Sequence, residues 1–360
     1  ENVLLVRFNE VYDFENLEHG HIANATEAAL KNAEEILQKI LTVDNENRSF
    51  ENTLEKIDDI YATIEMVWSP GYLMSSTHTD EKIRDEGLES SRKIEKYITD
   101  LSLNKDLYNA VLDYSRTKEG QQLEGYKKKY LDDTIRDFRR SGLALSDEKR
   151  EKVKALFNDL SDLGLAFSKN IADYQDTLFL SEDEMEGLPE VYKIERHQKD
   201  GRYAVDMSYP SIGPYFKLAE SDKSRKELRF RYNNRAKESN LEILDNIIRK
   251  RNQLAAMLGY RSYAEYRTED RMAKNPENVW SFEKDLIEKV RKKAEADVNI
   301  MLKIKSDRDG KAATTIDPWE AAYYENLVLK KNFNLDSEEV KKYFEFNNVT
   351  KGLFTIYQTL

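Results

Sequence analysis

The sequence predicts a predominantly α-helical protein with one small β element, and three observations carry that expectation. Charged residues make up 35% of the 360 positions, and only 13 glycines and 6 prolines interrupt them, a composition that suits long solvated helices rather than turn-rich sheets. Apolar residues recur at spacings of three and four through most of the chain, the period of one helix face. Between Leu178 and Met207 that period lapses, and it returns from Pro214. At roughly 150 residues per domain the length corresponds to two or three domains or one large lobe, enough to bury a core without covalent staples.

After an extended start over 2–12, the first helix is expected over about 24–41, with Ala25, Ala29, Ala33, Ile36, Leu37 and Ile40 on one small apolar face. Ser49-Phe50-Glu51-Asn52 supplies an N-cap hydroxyl and an acid in the first turn of a second helix, whose stripe is Leu54, Ile57, Ile60, Tyr61 and Ile64. Ser69-Pro70-Gly71-Tyr72 is expected to end it. Helices over about 79–101 and 104–117 follow after short joins, and 127–140 is the most charged stretch. Ser146-Asp147-Glu148 opens a long helix with a predicted core face of Val153, Leu156, Phe157, Leu160, Leu163, Phe167, Ile171 and Tyr174.

Within the lapse, Val191-Tyr192-Lys193-Ile194 and Tyr203-Ala204-Val205 flank the turn-rich His197-Gln198-Lys199-Asp200-Gly201, which predicts one β-hairpin. Helices are then expected over about 214–219, 221–236, 240–258, 262–271, 276–308 and 318–331, with 307–315 as the best linker. No period of 20 to 50 residues recurs, which argues against a solenoid. The chain starts at Glu1 rather than Met and stops inside the apolar pattern Phe354-Thr355-Ile356-Tyr357-Gln358-Thr359-Leu360 without a stop signal, so it is expected to be cut at both ends.

The composition excludes several chemistries. With no cysteine there is no disulfide scaffold, no thiol nucleophile and no Cys-ligated metal. A net charge of −11, from 57 basic and 68 acidic residues, argues against a nucleic-acid partner, since phosphate neutralisation needs a basic face. No stretch approaches the roughly 18 apolar residues of a spanning helix, which argues against a membrane partner. The isolated glycines form neither dinucleotide nor phosphate-loop fingerprints, and no G-x-S-x-G occurs. The histidines are His19, His21, His78 and His197. None stand at i and i+4, and His19 and His21, two apart, diverge on a helix, so solvated or capping roles are expected. The 68 acidic residues are too many and too scattered for any carboxylate pair to be singled out.

Tyrosines number 21 and cluster at Tyr260, Tyr263 and Tyr266 and at Tyr323 and Tyr324. Such rings serve a peptide backbone or helix packing equally well. Asp317-Pro318-Trp319-Glu320 predicts a helix start, with Asp317 as cap, Pro318 at the first helical position and Glu320 reaching back. Tyr323 and Tyr324 would then lie about 100° apart, so that only one points fully into any one core.

Several stretches together resemble the thimet-oligopeptidase-like family of zinc peptidases. They are Asn2-Val3-Leu4-Leu5 with Phe8-Asn9, Phe14, Leu17, His21-Ile22 and Ala25, closest to the dipeptidyl carboxypeptidase branch, and then Phe50-Glu51-Asn52-Thr53-Leu54 with Ile57-Asp58. Tyr130-Leu131, Asp137-Phe138-Arg139-Arg140-Ser141-Gly142, and Leu160-Ser161 with Phe167 and Asn170 follow. Leu258-Gly259 with Arg261-Ser262-Tyr263-Ala264-Glu265-Tyr266 leaves out only Tyr260 from an unbroken run, and Met272-Ala273-Lys274-Asn275-Pro276-Glu277 comes after it. Pro318-Trp319-Glu320 with Tyr323-Tyr324, Tyr343-Phe344 and Gly352-Leu353-Phe354-Thr355-Ile356-Tyr357-Gln358 complete the set.

The resemblance implies the N-terminal part of a bilobed helical ellipsoid with a deep channel that admits short unfolded peptides. It implies that 1–130 and 225–360 form a helical channel wall and that 131–224, a helix plus hairpin, leans toward the catalytic lobe. The family's zinc helix carries H-E-x-x-H, in which two histidines one turn apart face the metal and the glutamate activates water. That motif is missing from this sequence. The zinc cofactor is therefore expected in a full-length parent and not at a catalytic site here, and no catalytic or metal-binding residue of the family transfers to a position of this chain. Tyr323 and Tyr324 are the candidate substrate-channel residues, and the partners implied are short peptides and a missing C-terminal catalytic half. The alternative is a non-catalytic peptide-binding or interaction protein, or one subunit of a split enzyme. A cytoplasmic location is expected, with a periplasmic or other exported one left open by the non-native start.

Overall fold

A computed structural model describes residues 2–7 and 10–360. Phe8 and Asn9 of the N-terminal resemblance lie outside the described residues.

Helix α1 (His21–Leu41) opens on Gly20 in the left-handed region, and its free N–H groups are satisfied from afar: the Glu86 carboxylate accepts from Gly20 (3.0 Å) and Ala23 (2.8 Å). Helix α2 (Phe50–Thr77) starts with a reciprocal capping box between Ser49 and Asn52, as its sequence predicts. It does not end at Pro70, because the carbonyl orphaned by the missing proline N–H, that of Met66, accepts the Tyr12 hydroxyl at 2.7 Å. Helices α3 (Glu81–Ser102), α4 (Lys105–Arg116) and α5 (Lys118–Gln121) are capped by Asp80, Asn104 and Thr117. Helix α6 (Gly125–Phe138) widens into a π turn over Arg139–Leu143, which includes Gly142 at φ 105°. On α7 (Asp147–Ala172) the expected core face is only partly realised: Val153 and Leu156 are buried, and the remaining predicted positions are half-buried.

The β element lies where the period lapses, but with a different first strand. β1 (Thr177–Leu180) pairs antiparallel with β2 (Tyr203–Asp206), Leu178 opposite Val205 and Leu180 opposite Tyr203. Val191 to Ile194 instead belong to α8 (Glu190–Arg196), because extended Pro189 starts a turn with Glu190 at its positive end and Lys193 and Arg196 at its negative end. The helices α9 (Tyr209–Leu218), α10 (Asp222–Asn233), α11 (Lys237–Met257), α12 (Tyr263–Thr268), α13 (Pro276–Asp309), α14 (Ala321–Phe333), α15 (Ser337–Lys341) and α16 (Phe346–Thr359) follow.

The chain forms two compact units. One comprises Glu1–Ala172 with Glu238–Pro276, the other Asp173–Lys237 with Glu277–Leu360. In the first, the alanine face of α1 packs against α2 and α3 in a core that includes Ala33, Leu37, Leu54, Ile57, Ile60 and Ile94. Buried Thr26 is satisfied there by the Ile22 carbonyl (2.8 Å) and by Ser90 (2.5 Å). In the second unit, alternate ribbon residues Leu178, Leu180, Tyr203 and Val205 meet Ile212, Tyr215 and Phe216 of α9 and Leu228 of α10. A smaller cluster joins Ile304 of α13 to Tyr323 and Tyr324 of α14. Among the described residues no helix is long and apolar enough to cross a membrane.

Candidate functional site

In the second unit a recess of about 460 Å³ is bounded by the last turns of α13, the coil 311–317, and the starts of α10 and α14. Helical spacing places Met301, Ile304, Lys305 and Arg308 on one face of α13, so that a greasy base leads into two cations. Before α14 the residues 318–320 form a turn, and the helix proper starts at Ala321. Pro318 therefore precedes the helix rather than opening it. Glu320 does reach back, accepting the Asp317 N–H at 2.8 Å. The same carboxylate oxygen takes the Lys305 ammonium at 2.6 Å, with both side chains largely buried, and Lys305 also donates to the Thr315 carbonyl at 3.1 Å.

Tyr323 and Tyr324 both line this recess, and both are buried, at 3% and 4% exposure. Both can be buried although they lie about 100° apart, because α14 is covered on two neighbouring faces, by α13 and by α9 with α10. Their rings meet edge-on at 5.4 Å. The Tyr323 hydroxyl accepts from Arg308, and its ring is stacked by the Arg225 guanidinium at 4.2 Å. Arg225, only 2% exposed, is held by the carbonyls of Ala219 (2.5 Å) and Glu220 (3.1 Å) and by Asp222 (3.0 Å), and its Nε has no partner among the described residues. Asp222 also accepts the Trp319 indole N–H at 3.0 Å, and Arg308 pairs with Glu220 at 2.8 Å. Burial pushes both phenols up, that of Tyr324 to about 12. The recess thus keeps both phenols protonated, that of Tyr323 hydrogen-bonded to Arg308, and neither is activated as a nucleophile.

Sequence reasoning found the tyrosines and the back-reaching glutamate but missed Arg225, Lys305 and Arg308. Single basic residues in helices this charged give no local signal. Only the i, i+3, i+7 relation of Met301, Ile304 and Arg308 could have suggested a shared face.

His19 and His78 meet at Asp80, whereas His21 and His197 have other partners. His19 lies 3.1 Å from Asp80, His78 accepts the Asp80 N–H at 3.0 Å, and His21 accepts the Glu18 N–H at 3.2 Å, while His197 packs edge-on against Tyr203 of the ribbon. The Asp80 carboxyl is held below its ordinary range chiefly by the Lys82 N–H, with His19 and His78 adding to it. Among the described residues no three His, Asp or Glu side chains converge in a geometry that would hold a metal ion. The described residues therefore do not assemble a zinc site.

Residues 23–150 match the family description "Neurolysin/Thimet oligopeptidase, N-terminal domain", and residues 215–360 match "Peptidase family M3". The chain is 30% identical to a thimet-like oligopeptidase of Dictyostelium discoideum over 90% of its own length and 50% of the relative's. It is 30% identical to saccharolysin of Saccharomyces cerevisiae over 78% of its length and 41% of the relative's. It is 24% identical to oligopeptidase A of Escherichia coli over 100% of its length and 55% of the relative's. The chain spans about half the length of the curated relatives it matches. Two family matches that cover most of the chain, on a helical scaffold with the expected small β element, establish that it belongs to the thimet-oligopeptidase-like family of metallopeptidases.

Proposed function

We propose that this chain supplies the channel wall and scaffold of a zinc-dependent oligopeptidase or peptidyl-dipeptidase that hydrolyses short unfolded peptides, the zinc being held by polypeptide outside these 360 residues. The observation that carries the reading is the match of both halves of the chain to peptidases about twice its length. The exposed apolar stripes support it. Along 280–300 of α13, Phe282, Leu286, Ile287, Val290 and Val298 are all exposed and mark one side of the helix. On α16, Phe346, Val349, Leu353, Phe354, Ile356 and Tyr357 are likewise exposed. Amphipathic faces of that size normally cover a partner surface, and a catalytic half is the partner this reading assigns. In the same reading 1–130 and 225–360 form one channel wall, 131–224 leans toward the catalytic lobe, and the recess of Tyr323 and Tyr324 supports the peptide path.

The test assays a quenched-fluorescent octapeptide with the 360-residue chain alone and with the chain joined to the unmatched half of oligopeptidase A. Chelator-sensitive hydrolysis is expected only from the joined protein. Stoichiometric zinc on the 360-residue chain, lost on mutating His19 and His21, would overturn the assignment. One of the two tyrosines presents its hydroxyl to the peptide in this reading, so in the joined protein one of Tyr323→Phe and Tyr324→Phe is expected to lower kcat/KM for the peptide. A loss of folding stability with kcat/KM unchanged would make both tyrosines purely structural.

A further inference from the structure

The ribbon of the second unit has one open edge. β2 is flanked by α8 and α9, and Tyr203 is bridged by His197. β1 pairs with β2 alone, and on its other side the backbone N–H and carbonyl groups of Thr177–Leu180 make no hydrogen bond among the described residues. Edge strands are usually blunted by a proline, a bulge or a charged side chain, and Thr-Leu-Phe-Leu carries none of these.

A cleft of about 560 Å³ follows that edge. Leu178, Phe179 and Leu180 all line it, although neighbours on a strand point to opposite faces, so the cleft borders the strand side-on. Its far wall is α10, which presents Lys223, Lys226, Glu227 and Phe230 at helical spacing. Two large rings stand at the cleft with much of their surface exposed, Phe179 at 47%, with the Arg202 guanidinium 4.6 Å from its ring, and Phe230 at 59%, with the Lys237 ammonium 6.0 Å from its ring. The charges are mostly engaged: Glu184 by Ser181 and Ser224, Glu227 by Arg231, and Lys226 over the Trp319 ring. Lys223 has no carboxylate within ion-pair distance among the described residues and shares the cleft with Glu184, whose carboxyl it helps to hold below the ordinary range, so its ammonium keeps room for a direct partner.

We infer that this cleft docks an extended peptide segment as a third strand on β1, with apolar side chains against Phe179 and Phe230 and a carboxylate at Lys223. Open backbone groups supply the pairing, the two rings the side-chain contacts, and the Lys223 ammonium, which has no direct ion pair, the preference for an acidic end. Four strand residues span roughly 13 Å at about 3.3 Å each, so the docked segment is about four to five residues long. The inference goes beyond the proposed function and does not depend on hydrolysis by this chain.

The probe is a fluorescein-labelled pentapeptide, Thr-Val-Phe-Val-Glu with a free carboxylate, titrated with the 360-residue chain and read by fluorescence anisotropy. Saturable binding is expected. N-methylation of the backbone amides one at a time should weaken binding roughly three- to tenfold at alternate positions and leave the others unchanged, since only every second amide faces the strand. Phe230→Ser and Lys223→Glu are both exposed changes, expected to weaken binding at least about fivefold with an unaltered far-ultraviolet circular dichroism spectrum. No saturation up to about 1 mM peptide, N-methyl effects without alternation, or variants that bind like the parent would each overturn the inference. So would a dimer in sedimentation that Phe230→Ser dissolves and the peptide does not displace, which would make a second copy of this chain the occupant.

Discussion

Tyr12 shows how one side chain can change the fate of an element. Its hydroxyl satisfies the Met66 carbonyl that Pro70 leaves without a partner. Tyr12→Phe is expected to destabilise the chain by about 1 kcal/mol, the cost of an unsatisfied half-buried carbonyl. In a Pro70→Ala background the new backbone N–H restores the helical bond, so the same change should cost less, with a coupling of about 1 kcal/mol in a urea-unfolding double-mutant cycle. A cycle that closes additively would show that the two residues act separately. Glu320 has a similar concentration of duties, holding Lys305 and the Asp317 N–H together. Glu320→Ala leaves a buried ammonium unpaired and is expected to cost about 3–5 kcal/mol, whereas Glu320→Gln, which keeps an acceptor, should cost less. Equal losses for the two variants in denaturant titrations would argue against the ion pair as the cause.

At the level of elements, two glycines of the helical core invite opposite predictions. Where α2 and α3 cross, a Cβ on Gly87 would fall on the Gly71 carbonyl oxygen, and Ser75 is also close by. Gly87→Ala therefore overpacks a backbone contact and is expected to destabilise by about 1–3 kcal/mol. Gly164, within α7, has open space where a Cβ would stand, with nothing inside 4 Å. Gly164→Ala is expected to stabilise by about 0.5–1 kcal/mol through the helix backbone alone. Thermal melts of the two variants should move in opposite directions, and a common direction would refute the packing argument. The sequence announces that both helices exist, but nothing in it says which glycine lies at a crossing.

Across the whole molecule, titration behaviour is common to both units. Burial first, with neighbouring groups after it, pushes the phenols of Tyr215, Tyr260 and Tyr324 up to about 12 from an ordinary 10.0. A raised folded-state pKa means that above about pH 10 the unfolded chain gives up protons that the folded chain retains. The stability these groups contribute is therefore fully present below about pH 10 and is lost as pH rises from about 10 toward 12. Urea midpoints should fall over that window, and phenolate absorbance from these tyrosines should appear only with unfolding. Phenolate signals complete near an ordinary pKa of about 10 in the folded protein would contradict their burial. Expected lobe boundaries near 130 and 224 concern a channel, whereas the compact units of this chain divide after 172, 237 and 276.

The sequence by itself determined the class of the fold, most helices, the cap at Ser49, the position of the β element and the family. These rest on local periodicity, local hydrogen bonds and residues that match a family in order, all of which are written along the chain. Tertiary structure alone decided that α2 runs on past Pro70, that the partner of Tyr203 to Asp206 is Thr177 to Leu180 and not Val191 to Ile194, and that both Tyr323 and Tyr324 are buried. In each case the deciding atom comes from far along the chain: a hydroxyl 54 residues before the carbonyl it satisfies, a strand from before α8, a guanidinium from another helix. Such contacts are favoured only once the chain is already folded, because the entropy of bringing distant segments together is offset collectively and not by any one pair. That is why helix propensities could be read residue by residue, and the recess lined by Arg225, Lys305 and Arg308 could not.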